Sequence, residues 1–445
     1  MPTLGLAMIV KNGAKTLQNC LTSIAGVMDQ IVVADTGSTD GTQELARSLG
    51  AQVIDHPWQD DFAEARNAAV QALTTDWALV MDDDEELDAG AREKIRPLLE
   101  RANVGGYLIT LRNYIPVKYG SGGHGAAAQP NVAPVPRSEG AGAYTDFALC
   151  RLFRRHPEIY YEGRVHEHVE PRIRALGLQV EPSDLIIHHF GLLVANDELH
   201  AKDEFYRKLG LLKLQDNPND PQAWIEMGLQ EYEQFKNYSG GIECFKRALA
   251  LNPRCSNVPY LSLANLYVEI DDNNRALELL SAVPMKGREA GAKEHVRGDA
   301  LYNLGRLKEA RTAYLEALHI LADDARIISK LGLTEVRLGM KKNGLARLGK
   351  ALKTNPEMYE MHDRMIKGYI VANMMAQAAE TAERLAVALP HPAMILRAAS
   401  IRAQMQDAKA VEELIERGLK QFPDSAELLK AKAELKPGKK AATAS

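Results

Sequence analysis

Five consecutive acidic residues, Asp82-Asp83-Asp84-Glu85-Glu86, follow the apolar run Trp77-Ala78-Leu79-Val80-Met81. Clustered carboxylates supply hard oxygen ligands, which suit Mg²⁺ or Mn²⁺ far better than soft metals. Five of the 12 histidines lie within residues 155–190: His156, His166, His168, His188 and His189. Imidazoles near carboxylates can complete a metal shell or move a proton near neutral pH. A competing reading makes the acidic run a solvated turn or the first turn of a helix over 91–100, where negative charge suits the macrodipole. Glu85, Glu86 and Asp88 would then only head that helix.

The elements that must hold these groups follow from periodicity. Leu4–Val10, Ile31–Ala34, Gln52–Ile54 and Ala78–Met81 are short apolar runs of the kind that a sheet buries on both faces. Between them, residues 16–25, 42–49 and 63–73 have helical periodicity. Ser38, Thr39 or Asp40 caps the second helix and Gly50 ends it. The order β-α-β-α-β-α-β predicts a parallel α/β sheet with right-handed crossovers. Ligands bind such sheets outside the carboxyl ends of the strands. Those ends carry Lys11 and Asn12, then Asp35 to Asp40, then Asp82 to Asp84, which is the layout of a nucleotide pocket. No GxGxxG follows the first strand and no GxxxxGK[ST] occurs, which argues against a dinucleotide dehydrogenase or a P-loop NTPase. A metal between the carboxylates and a diphosphate would balance the charge instead.

Composition narrows the classes. The chain has 445 residues, 46% hydrophobic and 25% charged, enough for two or three soluble domains. A net charge of −5 argues against a general nucleic-acid binder. Cys20, Cys150, Cys244 and Cys255 form no CxxC pair. A zinc site or disulfide framework is therefore not expected, and a reducing cytoplasm is. Neither a signal peptide nor a membrane span is expected, since no apolar run approaches ~18 residues.

Four ordered motifs carry a resemblance. They are Met8-Ile9-Val10-Lys11-Asn12, Val33-Ala34-Asp35-Thr36-Gly37-Ser38-Thr39-Asp40-Gly41-Thr42, Asp61-Phe62-Ala63-Glu64-Ala65-Arg66-Asn67 and Met81-Asp82-Asp83-Asp84-Glu85. Together they resemble family 2 glycosyltransferases, and more closely the bacterial subgroup fused to tetratricopeptide repeats. The resemblance covers about the first 200 residues. It implies a GT-A fold, a nucleotide-sugar donor with a UDP-sugar expected, Mn²⁺ or Mg²⁺, inversion at the anomeric carbon, and transfer of a hexosyl or N-acetylhexosaminyl group. It places Lys11, Asn12 and Asp35 at the donor, Asp35 against the base or ribose. Arg66 and Asn67 fall near the phosphates or ribose. Asp82 and Asp84 take the outer positions of the family's D-x-D, with Asp84 the direct metal ligand. Asp83 belongs to the same donor-binding run, with its side chain expected to point away. Two positions depart from the pattern: relatives often carry Asp at Thr36 and Glu at Gly13, both near the nucleotide.

Gly106 to Leu111 and Ala148 to Phe153 read as strands. Residues 119–143, rich in Gly, Ala and Pro, read as a flap or an inserted disordered segment, with His124 solvated. The segments Gly163-Arg164-Val165-His166-Glu167 and His189-Phe190-Gly191 match the subgroup's G-x-[IV]-H-E and H-[YF]-G. Inverting transfer needs a base for the acceptor's proton. Glu167 is the candidate, with Asp146 second. His189 would complete the metal shell with Asp84 and Asp82, and His188 is the alternative.

Beyond residue 216 the chain is helical and repetitive. Gly241, Ala276, Ala310, Gly344, Ala378 and Ala410 recur at intervals of 35, 34, 34, 34 and 32, close to the ~34-residue tetratricopeptide period. The expected organisation is a catalytic α/β domain over 1–200, a linker helix over 201–220, a solenoid of about six repeats over 221–435 and a disordered basic tail over 436–445. The repeats would present a protein or peptide acceptor. The alternatives are a lipopolysaccharide or cell-wall glycan acceptor, a repeat array serving only as a homodimer scaffold, and an interaction protein whose transferase domain is inactive.

Overall fold

The computed structural model describes residues 1–116, 129–131, 135–138, 141–193, 196–356 and 358–435. The apolar runs form the strands β1 (Leu4–Val10), β2 (Gln30–Asp35), β3 (Gln52–Asp55) and β4 (Trp77–Val80). They pair in parallel as β3-β2-β1-β4. All seven residues of β1 are buried because both faces are covered. Leu4, Leu6, Met8 and Val10 pack with Leu17 and Leu21 of α1 (Leu17–Ser23) and with Ala46 of α2 (Thr42–Ser48). Ala7 and Ile9, on the other face, pack with Ala69 and Val70 of α3 (Phe62–Ala72). Alternate side chains of a strand leave on opposite faces, so a strand covered on both sides reads as one unbroken apolar run.

The second half of the sheet is mixed rather than parallel. Beyond β4 come β8 (Ala141–Arg154), β6 (Val104–Pro116), β9 (Gln179–His189) and β5 (Glu85–Leu87), with the short β7 (Gln129–Pro130) on β8. β8 runs antiparallel to β4 and β6, β6 parallel to β9, and β9 antiparallel to β5. The strand β5 corrects the expectation that Glu85 and Glu86 begin a helix; α4 starts only at Ala91 and ends at Leu98. The ladder to β9 claims them, with Glu85 opposite His189 and Glu86 opposite His188. Most of 119–143, including His124, and all of 436–445 lie outside the described residues.

The chain divides into two compact units, Met1–Cys255 and Ser256–Ser445. The first also holds α5 (Glu170–Ala175), α6 (Asn196–Asp216), α7 (Pro221–Glu233) and α8 (Tyr238–Leu251). The second runs from α9 (Val258–Glu269) to α19 (Ala426–Leu435). The recurring small residues fall on the second helix of successive helix pairs. Ala276, Ala310 and Ala378 are fully buried there. A Cβ at Gly344 would lie 2.6 Å from Val336 Cγ2, so its pair closes tightly only without a side chain. No helix among the described residues is long and apolar enough to cross a membrane.

Candidate active site

The acidic run leaves the sheet at the carboxyl end of β4, and its carboxylates take different surroundings. Asp82 faces two guanidinium groups. Arg66 Nη1 and Nη2 donate to Asp82 Oδ1 and Oδ2 at 2.8 and 3.3 Å, and Arg151 Nη2 lies 3.4 Å from Oδ2. Burial works to raise its pKa, but Arg66 and Arg151 outweigh this and hold the carboxyl well below the usual range. Asp83 turns away, toward the hydroxyl of Thr16. Burial raises its pKa to about 6, with Asp84 and Asp82 adding to the effect and Thr16 opposing it. Its packing also accounts for Gly13, where a Cβ would lie 2.7 Å from Asp83 Oδ2. Glu85 is 1% exposed. It accepts from the Asp82 backbone N–H at 2.9 Å and from Arg151 Nη2 at 3.3 Å, and burial pushes its carboxyl up.

Asp84 stands apart from the arginines and faces His189, with Oδ2 3.5 Å from Nε2. Burial opposes ionisation of Asp84, but His189 wins and keeps its carboxyl low. The other ring nitrogen, Nδ1, lies 2.5 Å from Asn113 Oδ1. The Asn113 oxygen accepts there, so Nδ1 carries a proton. Burial works against the charged ring, but Asp84 and the neighbouring carboxylates raise the imidazole's pKa, and in the charged ring Nε2 also carries a proton, directed toward Asp84. The register that pairs Asn113 of β6 with His189 of β9 sets this contact. Gly191 keeps the space open: a Cβ there would overlap Asp84 Oδ2 and lie 2.6 Å from His189 Nε2. A carboxylate and an imidazole nitrogen facing a gap that a methyl group would fill make a donor set fitted to a divalent cation, which would take the place of the Nε2 proton. Among the described residues, no group of three or more His, Cys, Asp or Glu side chains encloses a metal position. Asp84 and His189 therefore offer a pair, and Asp82, expected with them, has both oxygens turned to arginine. His188 is placed differently. Its Nδ1 meets Tyr114 Oη at 2.9 Å and its Nε2 meets Asp88 Oδ2 at 3.1 Å.

Arg66 joins this cluster to Glu167. Its Nε donates to Glu167 Oε1 at 2.5 Å, and the residue is only 6% exposed. The guanidinium expected beside donor phosphates is thus held between two carboxylates of the protein. The side chain of Asn67, expected nearby, closes two hydrogen bonds onto the Tyr161 backbone, at 2.9 Å to its carbonyl and 2.8 Å from its N–H. Arg66 and Asn67 together fix the segment that carries Glu167. Asp146, the second candidate base, is bound in a two-pronged pair to Arg112, both contacts at 2.9 Å.

The expected nucleotide end lies at β1 and β2. Asp35 Oδ1 accepts from the N–H groups of Gly37 and Ser38 and from Gln43 Nε2, at 2.9–3.0 Å. Asp35 Oδ2 is buried with no hydrogen-bond partner among the described residues. Asn12, at φ 57°, clips the two loops together by accepting from Thr39 N–H at 2.9 Å and donating its own N–H to Ser38 Oγ at 2.8 Å. Lys11 is exposed beside it. Thr36 donates to Val10 O at 3.0 Å, so this departure from the pattern secures the end of β1. Sequence reasoning missed Arg151 and Asn113. A signal existed for the first: a cation inside the apolar run Ala148-Leu149-Cys150-Arg151-Leu152-Phe153 must find buried carboxylates.

Comparison with known proteins gives a match for each part of the chain. Residues 6–157 match the family model for glycosyl transferase family 2. Residues 221–255 match that for the tetratricopeptide repeat and 247–338 that for a tetratricopeptide repeat-like domain. A TPR repeat-containing protein of Synechococcus elongatus is 32% identical over 237 residues, 51% of this chain and 52% of that protein. An uncharacterized glycosyltransferase of Rickettsia prowazekii is 32% identical over 108 residues, 24% of this chain and 37% of that one. The SPbeta prophage-derived glycosyltransferase SunS of Bacillus subtilis is 24% identical over 171 residues, 37% of this chain and 34% of that one. The chain spans about half the length, or less, of these curated relatives. It joins a glycosyl transferase family 2 domain to tetratricopeptide repeats.

Proposed function

We propose that this protein is an inverting, metal-dependent glycosyltransferase that moves a sugar from a UDP-sugar to a protein or peptide side chain. The observation that carries the reading is the Asp84–His189 pair beside the Gly191 gap, linked through the Asp82–Arg66–Glu167 ion pairs to a candidate base. Asp84 and His189 would hold Mn²⁺ or Mg²⁺, which supplies positive charge for the departing nucleoside diphosphate. Asp35 Oδ2 would accept from an N–H of the donor's base. Lys11 and Asn12 line the same edge. Glu167, oriented through Oε1 by Arg66, would take the acceptor's proton as its oxygen or other nucleophile attacks the anomeric carbon. The bond from that carbon to the diphosphate oxygen breaks in the same displacement, and its electron pair leaves with the diphosphate. One displacement inverts the centre. The protein or peptide acceptor follows from the repeats, which commonly present concave surfaces to polypeptides.

The test is nucleotide binding with and without Mn²⁺, followed by metal-dependent hydrolysis across a panel of nucleotide sugars. UDP should bind at least tenfold more tightly with Mn²⁺, and Asp84→Ala should abolish the difference. If no nucleotide tightens with metal and Asp84→Ala changes nothing, the enzyme reading fails and the scaffold reading takes its place.

A further inference from the structure

The chemistry above draws nothing from α6, yet this helix is fastened to both loops that frame the site. Lys208 Nζ donates to Asp60 Oδ2 at 2.7 Å, Lys213 Nζ donates to Val165 O at 3.0 Å, and Asp216 pairs with Arg164. Leu209, on the same face, is fully buried. Among these fastenings Phe205 and Tyr206 meet Trp58 and Phe62. The Trp58–Phe205 ring centroids are 5.8 Å apart. Phe62 and Tyr206 stack at 5.9 Å with 19° between their planes. Phe62 opens α3 one turn before Arg66, and Val165 stands two residues before Glu167. Tyr206 therefore lies where the helix of Arg66 and the loop of Glu167 converge. Its electrostatic surroundings agree. Burial pushes the phenol up to about 12, with the Asp82 and Glu167 charges adding to it, Arg66 opposing, and Asp84 adding again. Lys202, one turn earlier on α6, acts on Asp84 from the same side. The Tyr206 ring is packed and the residue is half-buried, and its hydroxyl makes no hydrogen bond among the described residues.

We propose that α6 is the acceptor wall of the active site, with the Tyr206 hydroxyl contacting the acceptor's nucleophilic group beside Glu167. In donor hydrolysis it contacts the water that takes that place. Phe205, 37% exposed, and Trp58 extend the wall as an apolar shelf. The acceptor class this fits has a hydrogen-bonding nucleophile, such as a hydroxyl, flanked by an apolar group. The inference rests on the glycosyltransferase reading.

The experiment uses the full chain, with Mn²⁺, UDP-glucose and UDP-N-acetylglucosamine as donors and water as acceptor. Tyr206→Phe keeps the stacked ring and removes only the hydroxyl. It should lower kcat for hydrolysis about tenfold, the effect of one lost hydrogen bond to a reacting group. Donor KM, UDP affinity and melting temperature should stay within twofold or a degree of wild type. An unchanged kcat overturns the inference, and so does a loss of UDP affinity as large as the loss of kcat/KM, which would place Tyr206 on the donor side. Wild-type protein that hydrolyses no donor refutes the glycosyltransferase reading itself, and the inference with it.

Discussion

Gly191→Ala should uncouple nucleotide binding from metal while leaving the fold in place. The backbone at Gly191 is not left-handed, so alanine meets no penalty in φ. Its methyl group would overlap Asp84 Oδ2 and come within 2.6 Å of His189 Nε2 and 3.2 Å of His189 Cε1. These are side-chain ends, which can turn aside. The stability cost should therefore sit at the low end for overpacking, about 1 kcal/mol, or a few degrees in melting temperature. Turning them aside separates the two groups that would hold the cation. Disturbing one element of a metal shell costs about 10–100-fold in metal affinity, or roughly 1.4–2.8 kcal/mol. Calorimetric titration of UDP with Mn²⁺ and with a chelator gives the ratio of the two affinities directly. In the variant that ratio should fall at least tenfold, while affinity in chelator stays within a factor of two. A folded variant that keeps the wild-type ratio would show that the gap beside Asp84 and His189 is not a cation site.

Three further expectations follow from the same geometry and packing. Arg66→Lys replaces a fork that reaches two carboxylates with a single point charge, so Asp82 and Glu167 lose part of their shared partner. Urea unfolding should show a loss of about 3 kcal/mol, in the range for broken buried ion pairs, and donor hydrolysis should fall more than tenfold. His188→Gln and His189→Gln should separate by assay: the first lowers the melting temperature because Tyr114 and Asp88 lose their partner, and the second abolishes the Mn²⁺ effect on UDP binding with less change in melting. In the helical unit, burial and then the Lys330 charge push the His295 imidazole down from 6.5 to about 4, and the side chain is 23% exposed. The unfolded chain binds this proton first. Stability is therefore full above about pH 6.5 and is lost as pH falls toward 4, by roughly 3 kcal/mol. His295→Gln should flatten that segment of the pH–stability curve; an unchanged slope would remove His295 as its cause.

Several features were legible in the sequence because local physics sets them. The strands β1, β2 and β4 are covered on both faces, so each appears as an apolar run whatever its neighbours, whereas β3 at the sheet edge shows only Val53 and Ile54, both half-buried. The small residues of the repeats recur because every helix pair needs close approach at the same offset. Asp84 could be placed after β4 because ligands gather at that edge of an α/β sheet. Glu85 could not be assigned, since an acidic residue after a turn suits a helix start equally well, and only its pairing opposite His189 makes it a strand.

The consecutive histidines show where local information ends. Neighbours on a strand point to opposite faces, so the sequence requires that His188 and His189 have different roles but not which role each has. The pairing of β9 with β6 and β5, between segments some 75 to 105 residues apart, turns His189 to Asn113 and Asp84 and leaves His188 with Tyr114 and Asp88. Arg66 and Asn67 were likewise visible as a motif, but their partners at Glu167 and Tyr161 lie about 100 residues away. The sequence by itself determined the residue types, the early strand order and the repeat period. The tertiary structure decided which carboxylate faces arginine and which faces histidine, because a buried charge settles on whichever partner the fold brings within reach.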